Sequence, residues 1–324
     1  MATKERLLAL LETHKGEYLS GEELAGQLNI SRTAVWKAIK SLRSAGYEIQ
    51  AAQNRGYCLD ASTDVLDVQG IRNYLEPCAQ GCQLELVPCT ASTNALVRQR
   101  AAGGAAEGLV ILANQQTKGR GRMGREFYSP PDTGLYMSLL LRPGAIPPAQ
   151  AIHITTMAAV AACLAIDALC PRPPQIKWVN DILLDGKKVC GILTEGSFDL
   201  ETGKLDDVVL GVGFNVYPPA GGFPEELREI ADSIFFEQTE EGKNRLAAAF
   251  LNHFFRIYRD PASDYVRIYR ERSLAMGRRV RVVTADAERD AYVLDIDRDC
   301  RLIVRYDDGS IDQLTSAQVS IRTE

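Results

Sequence analysis

The sequence predicts a multidomain α+β protein. It reads as a winged helix-turn-helix over residues 1–61, a mixed α/β domain over 62–274 and a small SH3-like β-barrel over 275–324. Three observations carry this. The first sixty residues string short leucine-bearing helical patterns between turn signals and close on a hairpin. The middle of the chain mixes strand-like apolar runs, a two-residue hairpin signal and longer helical stretches, without regular strand–helix alternation. The last fifty residues hold only short strands separated by Asp-rich turns.

In the first region, Lys4 to Thr13 places Leu7, Leu8, Leu10 and Leu11 at helical spacing. Ser20-Gly21-Glu22-Glu23 has the S-x-x-E form of a capping box and opens a helix with Leu24 and Leu28 inward. Asn29 tolerates the left-handed turn that must follow. Ser31 caps a third helix that runs to about Ala45 and stops at Gly46. At 100° per residue, Val35, Ile39 and Leu42 share one narrow sector and face the core, while Thr33, Lys37, Lys40 and Ser44 lie opposite. Arg32, Trp36 and Arg43 occupy the flank, and no acid occurs from Ser31 to Ala45. Two short strands around Gln53-Asn54-Arg55-Gly56 form the wing. A neutral-to-basic outer face fits a DNA major groove through Arg32, Thr33, Lys37, Lys40 and Ser44, with Arg55 reaching a phosphate. The same arrangement also serves as a protein-interaction module with a solvated charged face.

The middle region reads as strands at Leu84–Val87, Leu109–Ala113, Gly134–Leu141, Ile176–Leu184, Val189–Ser197 and Val208–Val216. Asp185-Gly186 is a hairpin signal. Helices are expected after Ser92, across 149–169, around Pro224–Ile230 and from Glu240 to Tyr258. In the last region strands are expected at Arg279–Thr284, Ala291–Ile296, Leu302–Tyr306 and Gln318–Arg322.

Composition bounds the function. A net charge of −5 over 324 residues argues against nucleic-acid binding through bulk charge, so any DNA contact comes from a local patch. The eight cysteines are scattered, no C-x-x-C occurs and only three histidines are present. That speaks for reduced cytoplasmic thiols and no tightly bound structural metal. Met1–Arg6 leads into no apolar secretory segment. The longest apolar run, 149–169, is interrupted by His153, Thr155, Thr156 and Asp167, which makes it a buried helix rather than a membrane span. A cytoplasmic protein without membrane association is expected.

The most informative stretch is Gln116-Thr117-Lys118-Gly119-Arg120-Gly121-Arg122-Met123-Gly124-Arg125, directly after an apolar strand. Arginine offers a permanent fork of donors for carboxylate or phosphate, and glycine lets backbone approach a ligand closely. An anionic ligand is indicated, although Gly/Arg composition also occurs in flexible basic tails. A Walker phosphate loop is absent. Ser92-Thr93-Asn94 either caps a helix or hydrogen-bonds a small polar ring. Lys177-Trp178-Val179-Asn180-Asp181 puts an indole, an amide and a carboxylate near a turn, as an amphipathic strand or as a nucleotide or metal contact. Lys188 at a strand start is either solvated or placed to stabilise transferred charge. Gly211-Val212-Gly213-Phe214-Asn215 carries glycines that mark a bulge or a close approach.

Taken in order, Ser92–Asn94, Gln116–Arg125, Lys177–Asp181, Lys188-x-x-Gly-Ile-Leu193 and Gly211-x-Gly-x-Asn215 closely resemble the biotin–protein ligases. With the winged-helix start and small-barrel end, the resemblance is to their bacterial bifunctional form, which also represses the biotin operon. It implies activation of biotin with ATP and Mg2+ to biotinyl-5′-adenylate, then transfer to a lysine of the biotin carboxyl carrier protein domain of acetyl-CoA carboxylase. Ser92, Thr93, Asn94 and Gln116 would hold the ureido ring. Arg120, Gly121 and Arg122 would form the loop closing over the adenylate, and Lys188 would lie against the biotin carboxylate and α-phosphate. Arg125, Asn180, Asp181, Asn215 and Arg322 would serve the nucleotide, with Asp181 also serving Mg2+. The resemblance further implies a homodimer, formed on adenylate binding, that binds operator DNA upstream of biotin genes. Val179, Met123 and Phe127 stand where the family often has proline, arginine and tryptophan. An acyl ligase for lipoate and a metabolite-sensing transcription factor are the alternative readings.

Overall fold

The computed structural model of the chain describes residues 3–44, 46–60, 63–144, 151–198, 205–284, 287–315 and 320–323. It divides into two compact units, Met1–Tyr74 with Glu237–Arg245, and Leu75–Phe236 with Leu246–Glu324.

The first unit contains α1 (Thr3–Thr13), α2 (Gly21–Leu28), α3 (Arg32–Ser44), β1 (Ile49–Ala52), β2 (Gly56–Leu59) and α4 (Val68–Asn73). The capping box forms as the sequence predicts. Ser20 Oγ accepts from the Glu23 amide at 3.1 Å, and Glu23 Oε2 accepts from the Ser20 amide at 2.8 Å. Asn29 then takes a left-handed φ of 53°, which turns the chain into α3. Ser31 Oγ accepts from the Ala34 amide at 3.1 Å; Ala45, the expected helix end, lies outside the described residues. Leu7, Leu11, Leu24, Val35, Ile39, Leu42 and Leu59 close one core. The wing β1–β2 is antiparallel, with Ile49 opposite Leu59 and Ala52 opposite Gly56. Gly56 is required there, since its φ is +104° and a Cβ would sit 2.1 Å from the Leu19 carbonyl oxygen.

Helix α4 was not anticipated, because six residues give no periodicity to read. It is fixed by Asp67, whose Oδ1 accepts from the amides of Gln69 at 2.8 Å and Gly70 at 2.9 Å. Beside it, four charged side chains are buried together. Lys15 Nζ lies 2.9 Å from Glu241 Oε1, with Glu12 and Asp67 facing the same pair. Burial, opposed by Lys15 and reinforced by Asp67 and Glu241, pushes the Glu12 carboxyl up to about 8. Glu241 moves the other way: burial raises it, but hydrogen bonds from Tyr74, Lys15 and Glu12 outweigh that. Glu12 therefore serves as the protonated partner of an acid–carboxylate pair.

The second unit is built on a seven-stranded sheet. Its elements are β3 (Gln83–Val87), α5 (Thr93–Ala102), β4 (Leu109–Ala113), β5 (Gly134–Leu141), α6 (Ala151–Asp167), β6 (Gln175–Lys177), β7 (Asp181–Leu184), β8 (Lys187–Phe198) and β9 (Leu205–Asn215), followed by α7 (Gly242–Arg259) and α8 (Tyr265–Arg272). The strand order is β3-β4-β5-β9-β8-β7-β6, parallel only between β3 and β4, the pair joined through α5. All eight residues of β5 are buried. The other neighbouring pairs are antiparallel, which fits the α+β expectation. Asp185 and Gly186 take φ of 51° and 82°, the two positive values a tight primed hairpin needs. The alanine-rich run forms α6, and no helix among the described residues is long and apolar enough to cross a membrane.

Two expectations change, and two further elements appear. Residues 176–184 are not one strand but β6 and β7, folded back so that Lys177 pairs with Asp181. Strand-forming residues lie on both sides of Asn180-Asp181, but the chain folds back between them, and the Trp178 indole is buried, where it donates to the Cys300 carbonyl at 3.3 Å. The Trp178–Val179 peptide is cis. The helix expected around Pro224–Ile230 is only a 3-10 turn, Glu225–Leu227. Helix α8 and a fifth strand in the last region were not anticipated. That region forms an antiparallel five-stranded sheet from β10 (Arg279–Val283), β11 (Glu288–Ile296), β12 (Leu302–Tyr306), β13 (Ile311–Leu314) and β14 (Ser320–Thr323), in the order β13-β12-β11-β10-β14. β13 reads I-D-Q-L with only Leu314 buried, too polar to signal a strand.

A raised carboxyl adds stability that is complete below its unfolded value and lost as pH rises through the folded one. Glu12→Gln keeps the neutral form at every pH. Its melting temperature relative to wild type should therefore climb between about pH 5 and pH 8 and level off above. A difference that stays flat across this window in thermal melts would remove Glu12 as the titrating group.

Candidate functional site

One face of the seven-stranded sheet carries a cavity of about 540 Å3. Its floor consists of glycines: Gly191 of β8 pairs with Gly213 of β9, and Gly211 lies opposite Leu193. A Cβ on Gly213 would meet the Phe127 ring at 2.6 Å, one on Gly191 would meet Lys188 Nζ and Phe127 at 3.0 Å, and one on Gly211 would meet Asn94 Oδ1 at 2.1 Å. The missing side chains thus make room for Phe127, Lys188 and Asn94 to lie on the sheet. Phe214, one step along β9, points the other way and meets Phe250 of α7 edge-on at 5.8 Å.

The Ser92–Asn94 corner opens α5. Ser92 is the N-cap residue, yet its hydroxyl makes no capping bond; it is buried and lines the cavity. Capping falls to Gln116 instead, whose Oε1 accepts from the Thr93 amide at 2.8 Å and from Thr93 Oγ1 at 3.1 Å. Gln116 Nε2 donates to Ser129 Oγ at 3.1 Å. The Ser138 hydroxyl, fully buried on β5, lies 2.7 Å from Thr93 Oγ1 and donates to Asn94 Oδ1 at 2.6 Å. This hydrogen-bonded corner is built from neutral side chains.

The Gly/Arg segment is an ordered loop. Thr117 and Lys118 amides bond back to the Thr90 and Ala91 carbonyls, at 2.9 and 2.8 Å. The Gly121 amide donates to the Arg125 carbonyl at 2.7 Å, and the Phe127 amide to the Gly119 carbonyl at 3.0 Å. At its tip Arg122–Gly124 forms a 3-10 turn in which Met123 takes φ 55° and is largely exposed. Arg122 Nη1 donates to Asn180 Oδ1 at 3.2 Å, and Asn180 Nδ2 donates to the Ile192 carbonyl at 2.8 Å. Burial lowers the Arg122 guanidinium from its ordinary value, with Asp181 opposing, but it stays charged.

Lys188 reaches the cavity because of a β-bulge. Between β7 and β8 the register shifts, so Ile182 faces Cys190 while Leu183 faces Lys188, and Val189 is the extra residue. Three steps along a regular strand, Lys188 and Gly191 would point to opposite faces. With the bulge both face the cavity, and Lys188 Nζ lies 2.7 Å from Asp181 Oδ1 and 5.7 Å from the Phe127 ring centre. Asn215 is not among the lining residues; its Nδ2 donates to the carbonyls of Lys188 and Asp232, at 3.3 and 3.1 Å, and so fastens the Lys188 segment.

The cavity thus gathers Ser92, Thr93, Asn94, Gln116, Arg120, Gly121, Arg122, Arg125, Asn180, Asp181 and Lys188. Arg322 belongs to β14, and its side chain lies outside the described residues. Sequence reasoning missed Ser138, Ser129 and Glu195, and did not place Phe127 as a wall. Ser138 had a signal: a lone serine among the large apolar and aromatic residues of Gly134–Leu141, where a buried polar group needs a partner. Among the described residues no group of three or more His, Cys, Asp or Glu is arranged to hold a metal.

In the first unit, Arg32, Thr33, Lys37, Lys40 and Ser44 are all exposed on α3, as is Arg55 on the wing. Lys40 Nζ sits 5.6 Å from the Trp36 ring, which is 53% exposed, and Arg55 stacks 4.1 Å from the Tyr18 ring. Arg43 is committed elsewhere, since its Nε donates to the Ile49 carbonyl at 2.8 Å.

The motifs match known families in the same order along the chain. Residues 3–58 match the HTH domain, 86–215 the biotin/lipoate A/B protein ligase family and 275–322 the biotin protein ligase C-terminal domain. The fold is similar to the Aquifex aeolicus biotin protein ligase solved with biotin and ATP, at 22% identity and a TM-score of 0.62 over 75% of this chain and 99% of that one. The bifunctional ligase/repressor BirA of Escherichia coli is 27% identical, covering 98% of this chain and 97% of its own length. That of Bacillus subtilis is 32% identical over 98% of both. With ligase and helix-turn-helix parts both matched along nearly the whole length of such relatives, the chain belongs to the bifunctional ligase/repressor family of biotin protein ligases.

Proposed function

We propose that this protein joins biotin to ATP and passes the biotinyl group to a carrier lysine, and that it represses transcription from DNA bound by its winged helix. The observation that carries the enzymatic half is a single cavity holding a neutral hydrogen-bonding corner together with Arg120, Arg122 and Lys188. A cyclic urea with a carboxylate tail needs that pairing: dipoles for the ring, cations where two anions meet.

In the first step a biotin carboxylate oxygen attacks the α-phosphorus of ATP. The bond from that phosphorus to the bridging oxygen breaks and pyrophosphate leaves. Ser92, with its hydroxyl unspent on capping, binds the ureido ring beside Thr93, Asn94 and Gln116. Lys188 offsets the repulsion between carboxylate and phosphate, and Arg120 and Arg122 cover the mixed anhydride and keep water from it. Arg125, Asn180 and Arg322 serve the nucleotide. Asn215 acts through the backbone of Lys188. Asp181, the carboxylate paired with Lys188, suits a Mg2+ that arrives largely on the nucleotide phosphates, where it would neutralise charge. In the second step the carrier amine attacks the acyl carbon, AMP leaves and the amine gives up a proton. No protein nucleophile is required.

Residues 1–61, 62–274 and 275–324 then act as DNA-binding, ligase and C-terminal domains of a cytoplasmic protein. The acceptor is the biotin carboxyl carrier domain of acetyl-CoA carboxylase. Bound biotinyl-adenylate favours a homodimer on the operator of biotin genes, so ligand and DNA each strengthen the other's binding.

Biotin-dependent exchange of labelled pyrophosphate into ATP tests the first step, with lipoate as the competing acid. Exchange with biotin alone is expected, and none with either acid in folded protein overturns the reading. Lys188→Ala should slow exchange by about 100-fold or more, the scale of losing one preorganised charge donor. A loss under threefold would take Lys188 out of the chemistry.

For the regulatory half, operator affinity should rise when biotin and ATP are added and fall steeply with salt. Lys37→Ala and Lys40→Ala should each lower the salt slope by about one while leaving exchange unchanged. Gel-shift titrations across salt concentration with unaltered slopes would place DNA on another face.

A further inference from the structure

The carboxamide of Asn94 has its orientation decided by neighbours of which Glu195 and Ser138 lie outside every motif. Its Nδ2 donates to Glu195 Oε2 at 2.7 Å and to the Leu193 carbonyl at 3.3 Å. A carboxylate and a carbonyl can only accept, so the amino side must face them. The oxygen is thereby turned to the opposite side, where Ser138 Oγ donates to it at 2.6 Å and where it lies over Gly211 on the cavity floor. Both N–H bonds are spent on protein. Oδ1, with one lone pair left, is the atom that Asn94 offers to a ligand, and it offers an acceptor.

Ser138 could not enforce this alone, because a hydroxyl accepts as readily as it donates. The decision rests chiefly on Glu195, whose bond at 2.7 Å is shorter than the 3.3 Å bond to the Leu193 carbonyl and is charge-assisted, and Glu195 is itself held. Arg98 Nη2 lies 2.7 Å from Glu195 Oε2, and Arg98 follows Asn94 by four residues on α5, on the same helix face. Arg98 is half exposed, so the ion pair adds little stability of its own. What it supplies is direction: it fixes the carboxylate that fixes the amide.

We propose that Glu195, held by Arg98, is a positioning residue for substrate recognition: it locks Asn94 with its oxygen toward the cavity, as the acceptor for a ureido N–H. The inference rests on biotin being the ligand of this cavity. Without Glu195 only the longer bond to the Leu193 carbonyl holds the amino side, so the carboxamide turns over more readily and presents N–H to N–H, which costs a hydrogen bond and adds a repulsion.

The test is a double-mutant cycle in the full-length protein, read by calorimetric biotin binding and by KM in pyrophosphate exchange. Glu195→Ala should raise the biotin Kd and KM about tenfold, leaving the KM for ATP and kcat within about twofold, as expected for loss of one charge-assisted hydrogen bond. Glu195→Gln, which can still accept through Oε1, should recover most of this. In an Asn94→Ala background, Glu195→Ala should have no further effect on biotin binding. If Glu195→Ala does not fold, Arg98→Ala on the open helix surface carries the measurement, with an expected two- to threefold rise in biotin KM that also vanishes without Asn94. Equal effects of Glu195→Ala with and without Asn94 would make it a merely structural residue and overturn the proposal, as would an unchanged biotin KM. Wild-type protein that neither binds biotin nor exchanges pyrophosphate would instead overturn the biotin reading itself.

Discussion

The site depends on three side chains that are not there. Gly191, Gly211 and Gly213 leave bare backbone across the middle of β8 and β9; a methyl group at Gly211 or Gly213 would collide with Asn94 or Phe127, and one at Gly191 would crowd Lys188 and Phe127. A central sheet is normally covered by its own residues; here the cover comes from elsewhere in the chain, from the start of α5, the Gly/Arg loop and a bulged lysine. Each brings a different chemistry, so the same vacancy that makes a cavity also makes it polar at one end and cationic at another. The opposite face of β9 stays apolar, with Phe214 against Phe250, and holds the sheet in place.

The parts of the cavity differ in how firmly they are set. The Ser92–Asn94 corner is tied by Gln116, Ser138 and Glu195 at 2.6 to 3.1 Å, a connected network that leaves chosen atoms for a ligand. Lys188 has an internal counterion in Asp181, so its charge is satisfied before any substrate arrives. On the proposed mechanism, carboxylate and phosphate must compete for that ammonium, and binding of substrate redistributes charge already present. Phe127 completes the wall, edge-on to Tyr136 at 6.4 Å.

The winged helix shows the other extreme, in which local rules suffice. A capping box, a left-handed asparagine and a serine cap define α2 and α3 from residues adjacent in sequence. The charged outer face of α3 follows from its apolar one by simple periodicity. The buried group of Glu12, Asp67 and Glu241 around Lys15, by contrast, needs partners far apart in the chain.

The sequence by itself determined the α+β class, most of the element order, the exposed basic helix and the motifs that line most of the cavity. These are consequences of short-range periodicity, turn stereochemistry and motifs whose spacing survives without coordinates. It misread 176–184 as one strand because strand-forming residues on both sides of Asn180-Asp181 look the same whether the chain continues or folds back, and the pairing of Lys177 with Asp181 distinguishes them. Tertiary structure alone decided that Ser92 is not spent on its own helix, that Asn215 braces a backbone rather than facing the cavity, and that Ser138 and Glu195 orient Asn94. It also decided which way Lys188 points, through one extra residue at a bulge. Alternation along a strand assigns a face only while the register holds, and register is set by the neighbouring strand.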